Sequence, residues 1–159
     1  MKQLLSFFLI LFLSGCAHVI SQEMREKAER DLPFSVLLND PDRYVGRYVL
    51  LGGVIADAAD REEGTYIEVV QKPLDYRGRP KDTDYTEGRF LILYDGYLDT
   101  SMYSQGKEIT VAGRVIGQRV QSLGEMEYKY PLIESRELHL FSPRYRMPIF
   151  FEIGIFMSI

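Results

Sequence analysis

The sequence is short of the residues that metal and redox chemistry use most. Its 159 residues include one Cys, two His and no Trp. A single Cys excludes an internal disulfide framework and any zinc or iron–sulfur site built from several thiolates. The two histidines, His18 and His139, lie far apart in the chain, and neither has a second His at metal-ligand spacing. We therefore predict no metal and no cofactor.

The motifs of common catalytic sites are also missing. A nucleophilic Ser needs a base that an orienting partner holds in place, and two isolated histidines provide no recognisable triad. The Gly-x-Ser-x-Gly motif and the phosphate-binding Gly-x-x-x-x-Gly-Lys-Ser/Thr motif do not occur. The sequence thus predicts no catalytic residues, and a protein that is not an enzyme.

The charge balance argues against a nucleic-acid partner. The formal net charge is -4 at pH 7, whereas nucleic-acid binding is driven by Lys and Arg side chains that neutralise phosphates. Hydrophobic residues make up 46% and charged residues 26% of the chain, which is typical of a globular domain. The length favours a single domain.

The first sixteen residues have the pattern of a bacterial signal peptide with a lipidation site. A positive start, Met1-Lys2, precedes an apolar segment over Leu4–Leu13 that only Ser6 interrupts. This segment is far shorter than the ~20 residues that span a bilayer, and it fits the apolar region of a signal peptide. The residues that follow resemble a lipobox, which consists here of Leu13, Ser14, Gly15 and Cys16.

In that resemblance the Cys16 thiol takes a diacylglyceryl group, the chain is cut before Cys16, and the new amine is acylated. Two or more acyl chains anchor a protein stably, whereas one does so only marginally. Ala17, in place of an Asp, points by analogy to the outer membrane of a Gram-negative bacterium. The alternatives are a buried core Cys, or a signal peptide cut elsewhere.

Alternating apolar residues predict five strands after a short helix. Residues 32–39 form the helix, with Phe34, Leu37 and Leu38 on one face. Glycines inside the strands, at Gly52-Gly53 and later at Gly113 and Gly117, are typical of a bulge or sharp coil where a small barrel closes. The strands are predicted over Tyr48–Ile55, Thr65–Gln71, Arg89–Tyr94, Lys107–Arg119 and Met126–Phe141.

The connections complete the predicted order. A turn covers Asp57–Gly64, and a second short helix begins near Asp99 within Gly96–Gly106. The fifth strand is either continuous or broken near Pro131 and Glu134-Ser135, where the proline favours an edge or a bulge. The fold class is therefore all-β with short helices, a five-stranded barrel like the OB fold. A different small β-sandwich or barrel is the alternative.

The sequence divides into four predicted segments. Residues 1–15 are the signal peptide, and residues 16–31 are the lipidated N-terminus with a polar tether, in which Met24 and Ala28 are the only i,i+4 apolar pair. Residues 32–143 form the OB-like domain. Residues 144–159 are an apolar tail that packs on the domain, or contacts the membrane or a partner. The tether, which can be partly helical, lifts the domain off the lipid, and a solvated partner helix is the alternative to it.

The connection over Pro73–Glu87 is long for a link between strands, and such loops are often functional. Basic residues interleave with its acidic ones, so calcium binding and acid–base chemistry are both weakly supported. It is a candidate recognition loop through Asp75, Tyr76, Arg79, Asp82, Asp84 and Tyr85, and otherwise a solvated loop.

Over Phe34–Phe141 and the lipobox, the chain resembles the Slp family of outer-membrane lipoproteins. The matching pieces are Asn39-Asp40-Pro41, Tyr44-Val45-Gly46, Gly52-Gly53-Val54-Ile55, Glu68-Val69-Val70-Gln71-Lys72-Pro73-Leu74-Asp75, Gly88-Arg89-Phe90, Tyr97-Leu98-Asp99, Tyr103, Gly106, Ile109-Thr110-Val111-Ala112-Gly113, Gly124-Glu125 and Tyr128-Lys129-Tyr130-Pro131-Leu132. Many relatives have a Trp-containing C-terminal region that this chain lacks.

The resemblance implies a lipid-anchored outer-membrane protein without an established enzymatic activity, associated with starvation and stress. Its partners are then the membrane, and an envelope protein or cell-wall ligand. The alternative function is an OB-like binding module for an oligosaccharide, peptide or partner protein. In that function Tyr66, Tyr94 and Tyr128 present a stacking face.

Overall fold

The computed structural model describes residues 18–144 of the chain. Cys16, the rest of the predicted signal peptide and lipobox, and the predicted apolar tail from residue 145 onward lie outside the described residues. Two short helices precede five strands, so the prediction of an all-β fold with short helices is confirmed. The elements are α1 Gln22–Lys27, α2 Phe34–Asn39, a 3₁₀ helix Pro41–Tyr44, β1 Tyr48–Arg61, β2 Gly64–Gln71, β3 Arg89–Tyr94, β4 Glu108–Leu123 and β5 Met126–Leu140.

The five strands close into a ring in the order β1-β2-β3-β5-β4. All neighbours are antiparallel except β3 and β5, which pair in parallel through Leu91–Leu93 and Leu132–Glu134. The first half of β1 pairs with β4, and its second half pairs with β2. This topology confirms the predicted five-stranded, OB-like barrel.

Gly53 marks the point where β1 passes from one neighbour to the other. It pairs with both Ile109 of β4 and Gln71 of β2, and a Cβ added to it would overlap the carbonyl oxygen of Val70. The predicted coil at this glycine is therefore present, but the register shift of β1 lies further along, between Ile55 and Asp57. In β4, by contrast, the register shifts occur at the predicted glycines.

The barrel core is apolar and is closed at one end by α2. Phe34 and Leu37 of α2 are buried, and the Phe34 ring meets the Phe90 ring edge-on at 5.9 Å. Leu38 packs beside them, which confirms the predicted helix and its apolar face. The strands contribute the remaining buried core: Val49, Leu51, Ile55, Ile67, Val69, Phe90, Ile92, Ile109, Val111, Val115 and Ile133.

Two predicted connections differ from the structure, and a third is decided by it. The predicted turn over 57–64 shrinks to residues 62 and 63, because β1 continues to Arg61 and pairs there with Gly64 of β2. No helix forms within residues 96–106, where the Asp99 carbonyl accepts bonds from only the Met102 and Tyr103 N–H groups in a single turn. Of the two forms left open for the fifth strand, the structure has the continuous one. β5 runs through Pro131, which precedes the part that pairs with β3, and a register shift lies beside Ser135.

The described part of the predicted tether packs on the sheet instead of standing free of it. Ile20, Met24 and Ala28 are all buried, and the first two contact Ala112 of β4. Their four-residue spacing makes one apolar stripe, of which the sequence analysis recognised only the last two members. The Ser21 N–H also donates to the Glu137 carboxylate at 2.8 Å. The N-terminal segment is thus part of the folded body.

This docking predicts that Ile20→Ala destabilises the protein by about 2 kcal/mol, the lower end of the range for buried Ile truncation because the cluster is small. The side chain of Ile20 is only 2% exposed, so its loss leaves a cavity. The free energy of unfolding in urea measures the effect. Val45→Ala, at a position that is 54% exposed, is the control, with an expected change within about 0.5 kcal/mol. A free tether would give no loss for Ile20→Ala.

Candidate functional site

The long connection after β2 starts with a tight hairpin that Asp75 holds together. Its backbone N–H donates to the Arg79 carbonyl at 2.8 Å, and its carbonyl accepts from the Gly78 N–H at 3.0 Å. One carboxylate oxygen accepts from the N–H groups of Arg77 and Arg79, at 2.8 and 2.9 Å. Burial raises the pKa of Asp75, but these two bonds and the charge of Arg77 outweigh it, so the pKa is lowered overall. Asp75 therefore shapes the turn.

Arg79 ties the hairpin to the barrel. Its guanidinium lies 2.6 Å from a Glu108 carboxylate oxygen and stacks over the Phe141 ring at 4.9 Å. Arg144 reaches the other oxygen of Glu108 at 2.8 Å and donates to the carbonyl of Pro80. Glu108 is thus a half-buried bridge between two cations, at the start of β4. These contacts hold the loop against both β4 and the segment after β5.

The other four predicted recognition residues lie at the surface. Tyr76 and Tyr85 are 73% and 58% exposed, and Asp84 is exposed as well. Asp82 lines a shallow cleft of about 310 Å³ together with Lys107 and other residues. The structure therefore divides the predicted set into two residues that hold the loop and four that the loop presents. Recognition by those four stays a prediction.

The tip of this hairpin contacts the beginning of the described chain. The Val19 N–H donates to the Arg77 carbonyl at 3.0 Å. The His18 ring lies against Gly78, whose φ of +82° and lack of a side chain allow the contact. On its other side, the Gly78 carbonyl accepts a buried 2.6 Å bond from the Thr110 hydroxyl. The chain that comes from Cys16 therefore reaches the folded body at this tip.

His18 belongs to the segment predicted as a polar tether, which would leave it in solvent, but it is partly buried here. Burial is the main cause that lowers its pKa, and the charge of Arg25 adds to the effect. Nothing local in the sequence indicates the contact, because its partner Gly78 is distant along the chain. His139, in β5, meets the Phe141 ring edge-on at 4.5 Å.

The tyrosines predicted to form a stacking face are largely engaged within the fold. Tyr66 is only 7% exposed, because the Arg119 guanidinium lies over its ring at 4.5 Å. Its hydroxyl donates to Glu63 at 2.7 Å. The Tyr128 hydroxyl accepts a bond from the Arg89 N–H at 2.9 Å, and Tyr94 is half-buried. A ligand could stack on Tyr66 only by displacing Arg119.

A polar cluster that the sequence analysis did not identify is centred on Glu68. Its carboxylate pairs with Arg89 at 2.6 Å and accepts a bond from the Tyr130 hydroxyl at 3.2 Å. Burial, followed by the negative charge of Glu68, raises the pKa of Tyr130 to about 12. The Tyr128 ring packs edge-on against Tyr130 at 4.7 Å. The side chains of this cluster bind one another, and the cluster stabilises the fold.

Within residues 18–144, no group of three or more His, Cys, Asp or Glu side chains is arranged to hold a metal ion. Over the same residues, no helix has the length and apolar character needed to cross a bilayer. Of the loop carboxylates, Asp75 has one oxygen, Oδ1, in two hydrogen bonds that maintain the loop.

The pKa of Tyr130 predicts a loss of stability at alkaline pH. The folded chain holds this proton up to about pH 12, whereas an unfolded chain releases it near pH 10. The resulting stability is present below pH 10 and is lost as the pH rises toward 12. Unfolding midpoints between pH 9 and 12 should therefore fall less steeply for Tyr130→Phe than for the wild type.

Tyr97→Phe, at a position that is 72% exposed, is the control for removing one phenol from the chain. At neutral pH we expect Tyr130→Phe to cost about 1 kcal/mol, the usual contribution of one hydrogen bond. Equal alkaline slopes for the wild type and Tyr130→Phe would contradict the prediction.

Comparison with known proteins places the chain in context. Residues 13–152 match the Outer membrane lipoprotein Slp family. Among curated proteins, the chain is 26% identical over 133 residues to the uncharacterized lipoprotein YeaY of Escherichia coli (strain K12), covering 84% of this chain and 68% of that protein. It is 25% identical over 121 residues to the Outer membrane protein Slp of the same organism, covering 75% of this chain and 64% of that protein.

An uncharacterized protein of Haemophilus influenzae is 24% identical over 95 residues, which are 59% of this chain and 51% of that protein. The matches thus span from about half to about two thirds of the relatives' length. None of these names states a catalytic activity. Because the family match extends over most of the sequence, the chain belongs to the Slp family of outer membrane lipoproteins of Gram-negative bacteria.

Proposed function

We propose that this protein is held at the outer membrane by acyl groups on Cys16 and has a non-catalytic, structural or stress-associated role in the cell envelope. One observation carries the proposal: the family match begins at Leu13 and so includes the lipobox, Leu13 to Cys16, in the same unit as the folded domain. The only cysteine of the chain stands at the position that lipidation requires.

In this proposal residues 1–15 are removed as the signal peptide, and residues 16–31 join the lipid to the domain over residues 32–143. The acyl chains do the anchoring. The apolar segment of the signal peptide, Leu4–Leu13, has about ten residues and is too short to span a bilayer. Two or more acyl chains, by contrast, hold a protein at the membrane for long times. After the signal peptide is removed, the predicted apolar tail over residues 144–159 is the hydrophobic segment that the chain still has.

The non-catalytic role is supported by the way in which half-buried carboxylates are used. Glu108 is shared by Arg79 and Arg144, and Glu68 is shared by Arg89 and Tyr130. A catalytic acid or base needs a reacting group within hydrogen-bond reach, whereas these oxygens already contact the protein's own side chains. The alternative role as a stacking module lacks such support, because Tyr66 is covered.

The anchor predicts that Cys16→Ser abolishes incorporation of radiolabelled palmitate and moves the protein from the membrane fraction to the soluble fraction. The hydroxyl of Ser does not replace the thiol as the acylated group. Labelling and sedimentation of the full-length chain, expressed in a Gram-negative host, measure both effects. Ser14→Ala keeps a small residue in the lipobox and is the matched control, with normal labelling expected. A Cys16→Ser protein that still takes up label and sediments would contradict the proposal.

A further inference from the structure

We propose that the hairpin tip formed by Tyr76 and Arg77 lies in the phospholipid headgroup layer and fixes which face of the barrel is turned toward the membrane. This inference rests on the proposed lipidation of Cys16. Lipidation alone leaves the orientation open, because a flexible linker would allow the domain to tumble. The described contacts of the N-terminal segment remove that freedom.

The reach of the chain sets the distance between the lipid and the tip. Cys16 precedes His18 by two residues, so their Cα atoms are at most about 7 Å apart. The polar layer on each side of a bilayer is about 5–8 Å thick, from the difference between the full bilayer and its hydrocarbon core. Acyl chains on Cys16 must lie in that hydrocarbon core. His18 therefore lies within or immediately outside the headgroup layer.

The hairpin tip contacts His18 and the residue after it. The ring of His18 lies against Gly78, and the next residue, Val19, donates its N–H to the Arg77 carbonyl at 3.0 Å. Tyr76 and Arg77 form the turn next to these contacts, and both are exposed. A membrane that receives the acyl chains consequently meets these two side chains first.

The chemistry of the tip suits a layer of phospholipid headgroups. Tyr76 is 73% exposed, so most of its side chain is open to the surroundings of the domain. Tyrosine is enriched at membrane interfaces, because its ring is apolar and its hydroxyl is polar. The Arg77 guanidinium lies 5.2 Å from the Tyr76 ring centroid, and guanidinium groups form strong bonds with phosphate.

The tip is rigid enough to transmit this orientation to the whole domain. The Gly78 carbonyl accepts the buried bond from Thr110 of β4, and Asp75 braces the turn with its carboxylate. The last described residue, Arg144, also donates to this hairpin, at Pro80.

A test compares one probe at two positions of equal exposure. Acylation blocks the Cys16 thiol, so a Cys introduced elsewhere is the one reactive thiol. Tyr76→Cys places it at the tip. Met126→Cys is the matched control, because Met126 is also 73% exposed but belongs to the β4–β5 hairpin, at the end of β4 remote from Glu108. Arg77→Cys offers a second tip position whose backbone bond to Val19 is kept.

The full-length lipoproteins carry an environment-sensitive fluorophore and are reconstituted into vesicles of phosphatidylethanolamine and phosphatidylglycerol. A nitroxide on a fraction of the headgroups serves as the quencher. We expect most of the fluorescence to be lost at positions 76 and 77 and little to be lost at position 126. Similar quenching at all three positions, or stronger quenching at position 126, would overturn the inference.

Vesicle flotation and palmitate labelling of the same samples distinguish this result from a failure of the anchor. Proteins that float and carry palmitate, but show no preference for the tip, refute the orientation and leave the proposed function standing. Proteins that neither float nor carry palmitate refute the lipidation of Cys16, and with it the inference drawn here.

Discussion

The closure of five strands into a ring is the constraint on which the other features depend. β1 must pair with β4 and then with β2, and at Gly53 the neighbouring backbone comes so close that no side chain fits. Closure leaves no strand of the ring as a free edge. It also brings β4 beside the loop that follows β2, so that Thr110 can bind Gly78. The N-terminal segment then docks on the same strand, at Ala112.

Half-buried carboxylates are the second stabilising feature. Glu108, Glu68 and Glu134 each accept bonds from two side chains of other residues. A carboxylate taken partly out of water is costly unless it is paired and hydrogen-bonded, and these pairs supply that compensation. They also join parts of the fold that are distant in sequence, such as the hairpin and β4. These three glutamates thus connect side chains of different parts of the fold.

The sequence predicted the elements whose apolar pattern is local. β3 has the predicted bounds, β2 differs by one residue, and α2 buries the predicted face. The ends of β1 and β4 were missed, because these strands continue through polar residues that are held by a paired strand and not by burial of alternate side chains. The expected helix at Asp99 is reduced to a single turn. Its N-terminal signal is present, and Leu98 and Tyr103 pack against the core, but one turn adds too few backbone hydrogen bonds to offset the cost of starting a helix.

The amino-acid sequence was enough to predict the lipobox pattern, the fold class and the existence of a long polar loop. The folded structure was needed to show that Asp75 and Arg79 maintain the loop, that Arg119 covers Tyr66, and that Ile20 completes a buried stripe. The physical reason is the same in each case. A sequence pattern shows which side chains need a partner, but the partner is chosen by strand closure between residues that lie far apart in the chain.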